Sequence, residues 1–186
     1  MAPPNEIKFC RDKEIYAYGT AWLFQQRALA FRQNLNILSW LSLVVPIAVG
    51  TLLGTFDSSE LTTMTRIGSG LLGGALAITG AWAVVAGWTD ALSRAERSIL
   101  ANNELCDRWR ELKGYAGSDF YAQLATLKER DRAQENLDNL SNITAKDKIC
   151  MMRAALIQYG LPCERCGQVP TSLKPGNHNC AVCANS

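Results

Sequence analysis

Two long stretches of the chain carry no charged residue, whereas charge is dense elsewhere. They run from 33 to 56 and from 67 to 89. A helix needs about 20 apolar residues to cross a hydrocarbon core of roughly 30 Å, and the segments 35–56 and 67–88 reach that length. The alternative is a buried hairpin of a soluble protein, but a chain of 186 residues has little else to cover two such helices. The pattern therefore predicts two transmembrane spans.

Helical patterns on both sides of these spans divide the chain into four parts. The predicted parts are an N-terminal cytoplasmic helix at 1–34, a transmembrane hairpin at 35–89, a cytoplasmic helical region at 90–160 and a tail at 161–186. Turn and capping residues set the later helix boundaries. Ser118 is the expected N-cap of one helix, Thr144 and Asp147 resemble a capping box, and Gly160 is a stop signal.

The distribution of Lys and Arg predicts the orientation of the spans. Cations are frequent before the first span and directly after the second, whereas the connecting loop has Arg66 against Asp57 and Glu60. Cytoplasmic loops carry an excess of Lys and Arg. We therefore expect a multi-pass protein in contact with lipid, with both termini in the cytoplasm.

Small residues recur along one face of the second predicted span. They are Ser69, Gly70, Gly73, Gly74, Ala77 and Ala81. Small residues four apart let helix backbones approach closely. This small-residue stripe predicts helix packing, either between copies in a homo-oligomer or against the first span of the same chain.

Charge and motif content exclude several function classes. The formal net charge is only +2, which argues against binding to double-stranded nucleic acid. Neither span contains an ionisable residue, which argues against a proton-coupled transporter. The chain has no Gly-rich phosphate loop and no nucleophile elbow, so we expect that it is not an enzyme.

The tail contains the strongest motif, two CxxC pairs separated by residues 167–179. The cysteines are Cys163, Cys166, Cys180 and Cys183. Two such pairs can bring four thiolates together around a zinc ion, and Gly167 suits the tight turn after the first pair. Paired disulfides, a redox CxxC and ligation by His178 are the alternatives. Four thiolates leave no open position, so the expected Zn²⁺ is structural.

Together these features predict an all-α membrane protein: a two-span transmembrane helical hairpin with cytoplasmic helices and a small C-terminal zinc-ribbon-like module. This order, ending in the double CxxC at 163–183, resembles the SLATT family of bacterial two-transmembrane effectors, in particular the mobile-element members with such a tail. The tail pattern of that group has eleven residues between the pairs, whereas this chain has thirteen.

The resemblance implies an oligomeric, pore-forming effector of the bacterial inner membrane, acting in antiviral defense or mobile-element conflict. A nucleotide or oligonucleotide from a partner nucleotidyltransferase would gate it. The cations available for such a ligand are Arg94, Arg97, Arg108, Arg110 and Lys113, although a solvated surface charge is the more common role of such residues. The alternative function is a membrane-anchored adaptor whose zinc module recruits a protein partner.

Overall fold

The computed structural model describes residues 3–55, 59–85, 87–174, 180 and 182–183, apart from some side chains within its first two helices. Over these residues the chain forms helices and no strand. The helices are α1 (Pro4–Thr55), α2 (Ser59–Val85), α3 (Trp88–Lys113), α4 (Phe120–Asn139) and α5 (Ala145–Tyr159). The all-helical part of the predicted fold agrees with this architecture. The described residues of the tail form turns and no strand, so they do not support the predicted zinc-ribbon-like module.

The predicted membrane spans are corrected by the structure. Among the residues that the structure describes, no helix combines the length and the apolar character needed to cross a membrane. Polar residues such as Asn36 and Ser39 interrupt the apolar run in α1, and five glycines lower the mean hydropathy of α2. The prediction of a two-span hairpin at 35–56 and 67–88 is therefore wrong, and so is the multi-pass inner-membrane localisation derived from it.

The chain divides into two compact units. One comprises Met1–Gln26 and Ala95–Ser186, and the other comprises Arg27–Arg94. We call the first the helical-tail unit and the second the hairpin unit. The hairpin unit has many exposed large apolar side chains, among them Trp40, Leu71 and Trp82.

The core of the helical-tail unit is built around Trp109, which has no exposed surface. Phe9 of α1 contacts it edge-on, with ring centroids 5.8 Å apart, and its indole Nε1 donates to Asp131 Oδ1 at 3.4 Å. Leu124 and Leu127 add the apolar face of α4. Helices α1, α3 and α4 therefore share one core.

A buried carboxylate links α1, α3 and α5. Glu14 is only 2% exposed, and it accepts hydrogen bonds from Arg110 Nε at 2.9 Å and Lys113 Nζ at 2.7 Å. Tyr159 Oη donates to the same carboxylate at 3.2 Å. Burial alone would raise the pKa of Glu14, but the hydrogen bonds from Lys113 and Arg110 hold it below its usual value.

The predicted capping signals of α5 are confirmed. Thr144 accepts from the Asp147 backbone N–H at 3.1 Å, and the Asp147 side chain accepts from the Thr144 N–H at 3.0 Å. Gly160 ends the helix in the left-handed conformation, with φ of 61°. Ser118 was wrong by one residue, because Asp119 occupies the N-cap of α4.

Gly19 allows the backbones of α1 and α5 to approach closely. A Cβ at this position would lie 2.7 Å from the carbonyl oxygen of Met151. We expect Gly19→Ala to lower the free energy of unfolding by about 1–2 kcal/mol, because backbone must move to relieve the clash. Urea titration measures this loss. Gly68→Ala is the control, since a Cβ there meets nothing within 4 Å; equal effects of the two variants would contradict the close approach.

Candidate metal centre

The tail packs directly on α5. After Gly160, the backbone N–H of Leu161 returns to the Leu156 carbonyl at 3.0 Å, which turns the chain back along the helix. The Leu156 side chain then forms one apolar cluster with the sulfur-bearing residues Cys163, Cys180 and Cys183. The cysteines are thus held against a regular helix.

The first CxxC pair forms a tight turn. The Gly167 N–H donates to the Cys163 carbonyl at 2.8 Å, and the Cys163 N–H donates to the Gln168 carbonyl at 2.9 Å. Gly167 has a φ of +71°, a conformation that costs a residue with a Cβ far more than it costs glycine. The predicted role of Gly167 in this turn is confirmed.

The four sulfurs of the tail converge. All four lie within 4.8 Å of one another, with 3.8 Å between Cys163 Sγ and Cys180 Sγ and 3.5 Å between Cys166 Sγ and Cys183 Sγ. A tetrahedral ion with metal–sulfur bonds of about 2.3 Å places its ligands about 3.8 Å apart. The cluster can therefore bind a metal ion without large rearrangement. None of the seven cysteines, all of which the structure describes, forms a disulfide bond, so the disulfide alternative does not occur in this structure.

The backbone around the second pair favours the thiolate form. The N–H groups of Cys183 and Val182 hydrogen-bond the Cys180 sulfur and lower the pKa of that thiol to about 6. Metal ions bind the thiolate. His178, the alternative ligand, lies outside the described residues.

Arg153 was missed as part of this site. It is buried on α5, and it donates to the Ser172 carbonyl from Nε at 2.8 Å and to the Cys183 carbonyl from Nη1 at 2.5 Å. The available signal was a lone cation inside the apolar run 149–157, since a charged residue there must find a buried partner.

An open groove of about 910 Å³ lies beside the cysteine cluster, within the helical-tail unit. Its apolar lining includes Ile7, Ile15, Met152, Leu156, Leu161 and Val182. Charges of both signs surround this lining: Lys8, Arg11, Asp12, Glu164 and Arg165. Two of these charges form a salt bridge, with Lys8 Nζ 3.0 Å from Glu164 Oε1. We call this surface the tail groove.

The predicted ligand-binding cations have different surroundings. Arg110 and Lys113 hydrogen-bond Glu14, and Arg108 lies near Glu111, with Nη1 to Oε2 at 3.4 Å. Arg94 and Arg97 are exposed. Arg108 also lines a second cavity of about 580 Å³, together with Arg130 and Glu111.

The small-residue stripe faces open space wherever it is described. Gly70, Gly73, Gly74, Ala77 and Ala81 are exposed, and a Cβ at any of the three glycines would meet nothing within 4 Å. The Ser69 side chain lies outside the described residues. Packing of the described stripe within one chain is thus not observed.

One family model matches almost the entire chain. It is described as "Mobilome CxxCx(11)CxxC protein" and covers residues 8–186. The thirteen residues between Cys166 and Cys180 exceed the eleven in that description by two. No curated protein and no solved structure matches the chain.

Proposed function

The chain belongs to the mobilome CxxCx(11)CxxC protein family, and on that premise we propose that it is a non-enzymatic adaptor of mobile genetic elements. One structural Zn²⁺ stabilises its tail, several copies associate, and the tail groove recruits a protein partner. The four cysteine sulfurs fit zinc, because four soft thiolates in a tetrahedral arrangement are typical of structural zinc sites. Such a site has no free position for a reacting water.

The observation that carries the adaptor proposal is the position of the tail groove. The tail is fixed to α5 through Leu156 and Arg153, so the surface beside the cysteines has a defined shape. Its apolar lining and mixed rim charges resemble the centre and rim of a protein–protein interface. A nucleic-acid site would need a larger excess of cations, whereas Lys8 and Arg11 are opposed here by Asp12 and Glu164.

Photo-crosslinking tests the adaptor role. A crosslinking amino acid at exposed Arg165, on the rim of the tail groove, should give one discrete protein adduct in cells that carry the mobile element. The adduct should disappear when Cys163 and Cys180 are changed to serine, because the groove needs the ordered tail. The control position is Tyr121, which is 60% exposed on α4. The same adducts from both positions, or adducts that survive loss of the cysteines, would contradict the proposal.

The hairpin unit supports self-association. Its exposed apolar side chains include Trp40, Leu71 and Trp82, and other copies of the chain can cover such side chains. We expect Gly73→Leu to weaken association by steric exclusion and to raise the dissociation constant about tenfold or more. Light scattering across a concentration series measures this dissociation constant. Leu72→Ile is the control, and a wild-type dissociation constant in Gly73→Leu would rule out the stripe as the contact.

A pore-forming effector would require the two membrane spans, which no described helix provides. The nucleotide signal and the SLATT relationship stay predictions, although the mobile-element double-CxxC assignment is confirmed by the family match.

A further inference from the structure

Arg153 is a buried cation that lacks a carboxylate partner within the part of the chain the structure describes. It is 3% exposed. Three guanidinium nitrogens donate to main-chain oxygens: Nε and Nη2 to Ser172 at 2.8 and 2.5 Å, and Nη1 to Cys183 at 2.5 Å. Carbonyl oxygens satisfy its hydrogen bonds but do not balance its charge. Since buried charges are normally paired or bound to metals, a nearby negative charge is expected.

The cysteine cluster supplies that charge once it is loaded. Four thiolates and one divalent ion sum to a formal charge of about −2, and Cys183, whose carbonyl Arg153 binds, is one of the four. The other carbonyl belongs to Ser172, in the stretch between the two CxxC pairs. One guanidinium therefore connects α5, the connecting stretch and a cluster residue.

We propose that Arg153 is a positioning residue of the metal centre. The N–H groups of its guanidinium hold the Ser172 and Cys183 carbonyls, so that both cysteine pairs face the same point. Its positive charge offsets the negative charge of the four thiolates with their bound ion. Metal binding and burial of Arg153 then stabilise each other. This inference rests on the proposed function, because it requires zinc bound by the four cysteines.

Zinc affinity of the full chain, measured by competition with a chromophoric chelator, tests this role. Arg153→Met removes the charge and the guanidinium N–H groups and should weaken zinc binding about 10- to 100-fold, as loss of an outer-shell partner typically does. Arg153→Lys keeps the charge and should weaken it less. The visible spectrum of the Co²⁺-loaded protein should shift in both variants, because the Cys183 backbone loses its anchor.

Met151→Ala separates positioning from simple stabilisation. Met151 is buried on α5 two residues before Arg153, and its carbonyl oxygen lies 2.7 Å from where a Cβ at Gly19 would be. Its truncation should lower the stability of the helices and leave the zinc affinity and Co²⁺ spectrum of the folded protein unchanged. Wild-type zinc affinity in Arg153→Met, or equal losses in Arg153→Met and Met151→Ala, would overturn the inference.

Folding of the variants and zinc binding by the wild-type protein decide the remaining cases. If Arg153→Met does not fold, Arg153→Lys decides, and wild-type affinity with a wild-type Co²⁺ spectrum in that variant would overturn the role. If the wild-type protein binds no zinc through sulfur, the proposed function itself fails, which is a separate result from a failure of Arg153 alone.

Discussion

Replacing Cys163 and Cys180 with serine should abolish zinc binding and release the tail from α5. The two residues belong to different CxxC pairs, and their sulfurs lie 3.8 Å apart, so the double variant leaves only one ligand on each side. Structural zinc sites supply apparent binding free energies of about 10–16 kcal/mol, which are also folding free energies. We therefore expect zinc content to fall from about one ion per chain to near zero.

Metal analysis and limited proteolysis measure these two effects together. In the double variant, cleavage between 161 and 183 should become rapid, because Cys163, Cys180 and Cys183 no longer pack on Leu156 in a fixed arrangement. Cys150→Ser is the matched control, since Cys150 lies on α5 outside the cluster. It should keep its zinc and its protease resistance. Full zinc content in the double variant would show that other residues bind the metal.

Glu14→Gln should be the most damaging conservative substitution outside the tail. It removes a buried negative charge that accepts hydrogen bonds from Arg110 and Lys113. Breaking a fully buried ion pair costs about 3–5 kcal/mol, but the Arg110 and Lys113 side chains are 51% and 34% exposed and can turn to water. We therefore expect a loss of about 2–3 kcal/mol in the free energy of unfolding near neutral pH.

The contribution of Glu14 to the free energy of unfolding should decrease as the pH is lowered. Its pKa in the folded protein lies below the usual value of 4.5, so its contribution is fully present above pH 4.5 and is lost as the pH falls through the folded value. Burial raises the pKa of Asp138, so the contribution of Asp138 to stability changes with pH in the opposite direction to that of Glu14. The difference in free energy of unfolding between wild type and Glu14→Gln isolates the contribution of Glu14. This difference should shrink below pH 4.5. A difference that stays constant with pH would contradict an ionised Glu14 carboxylate bound by Arg110 and Lys113.

Local signals in the sequence predicted local structure well. Thr144, Asp147 and Gly160 set the ends of α5 because capping involves neighbours within three residues. The four cysteines and Gly167 were found in the same way, since CxxC spacing alone places two sulfurs on one turn.

Long-range features were not predictable from the chain. Glu14 looks like a surface charge, and only the fold brings it to Arg110, 96 positions away. The tight contact of Gly19 with Met151 depends on helix packing, whereas the conspicuous Gly73 faces open space. The two uncharged runs predicted membrane spans, whereas no helix among the described residues has the length and apolar character that a span requires.

Zinc K-edge X-ray absorption on the purified full chain is the most direct test of the metal centre. The convergence of four sulfurs within 4.8 Å predicts one zinc with four sulfur neighbours at about 2.3 Å. A first shell containing nitrogen or oxygen, fewer than four sulfurs, or a protein that retains no zinc would contradict it.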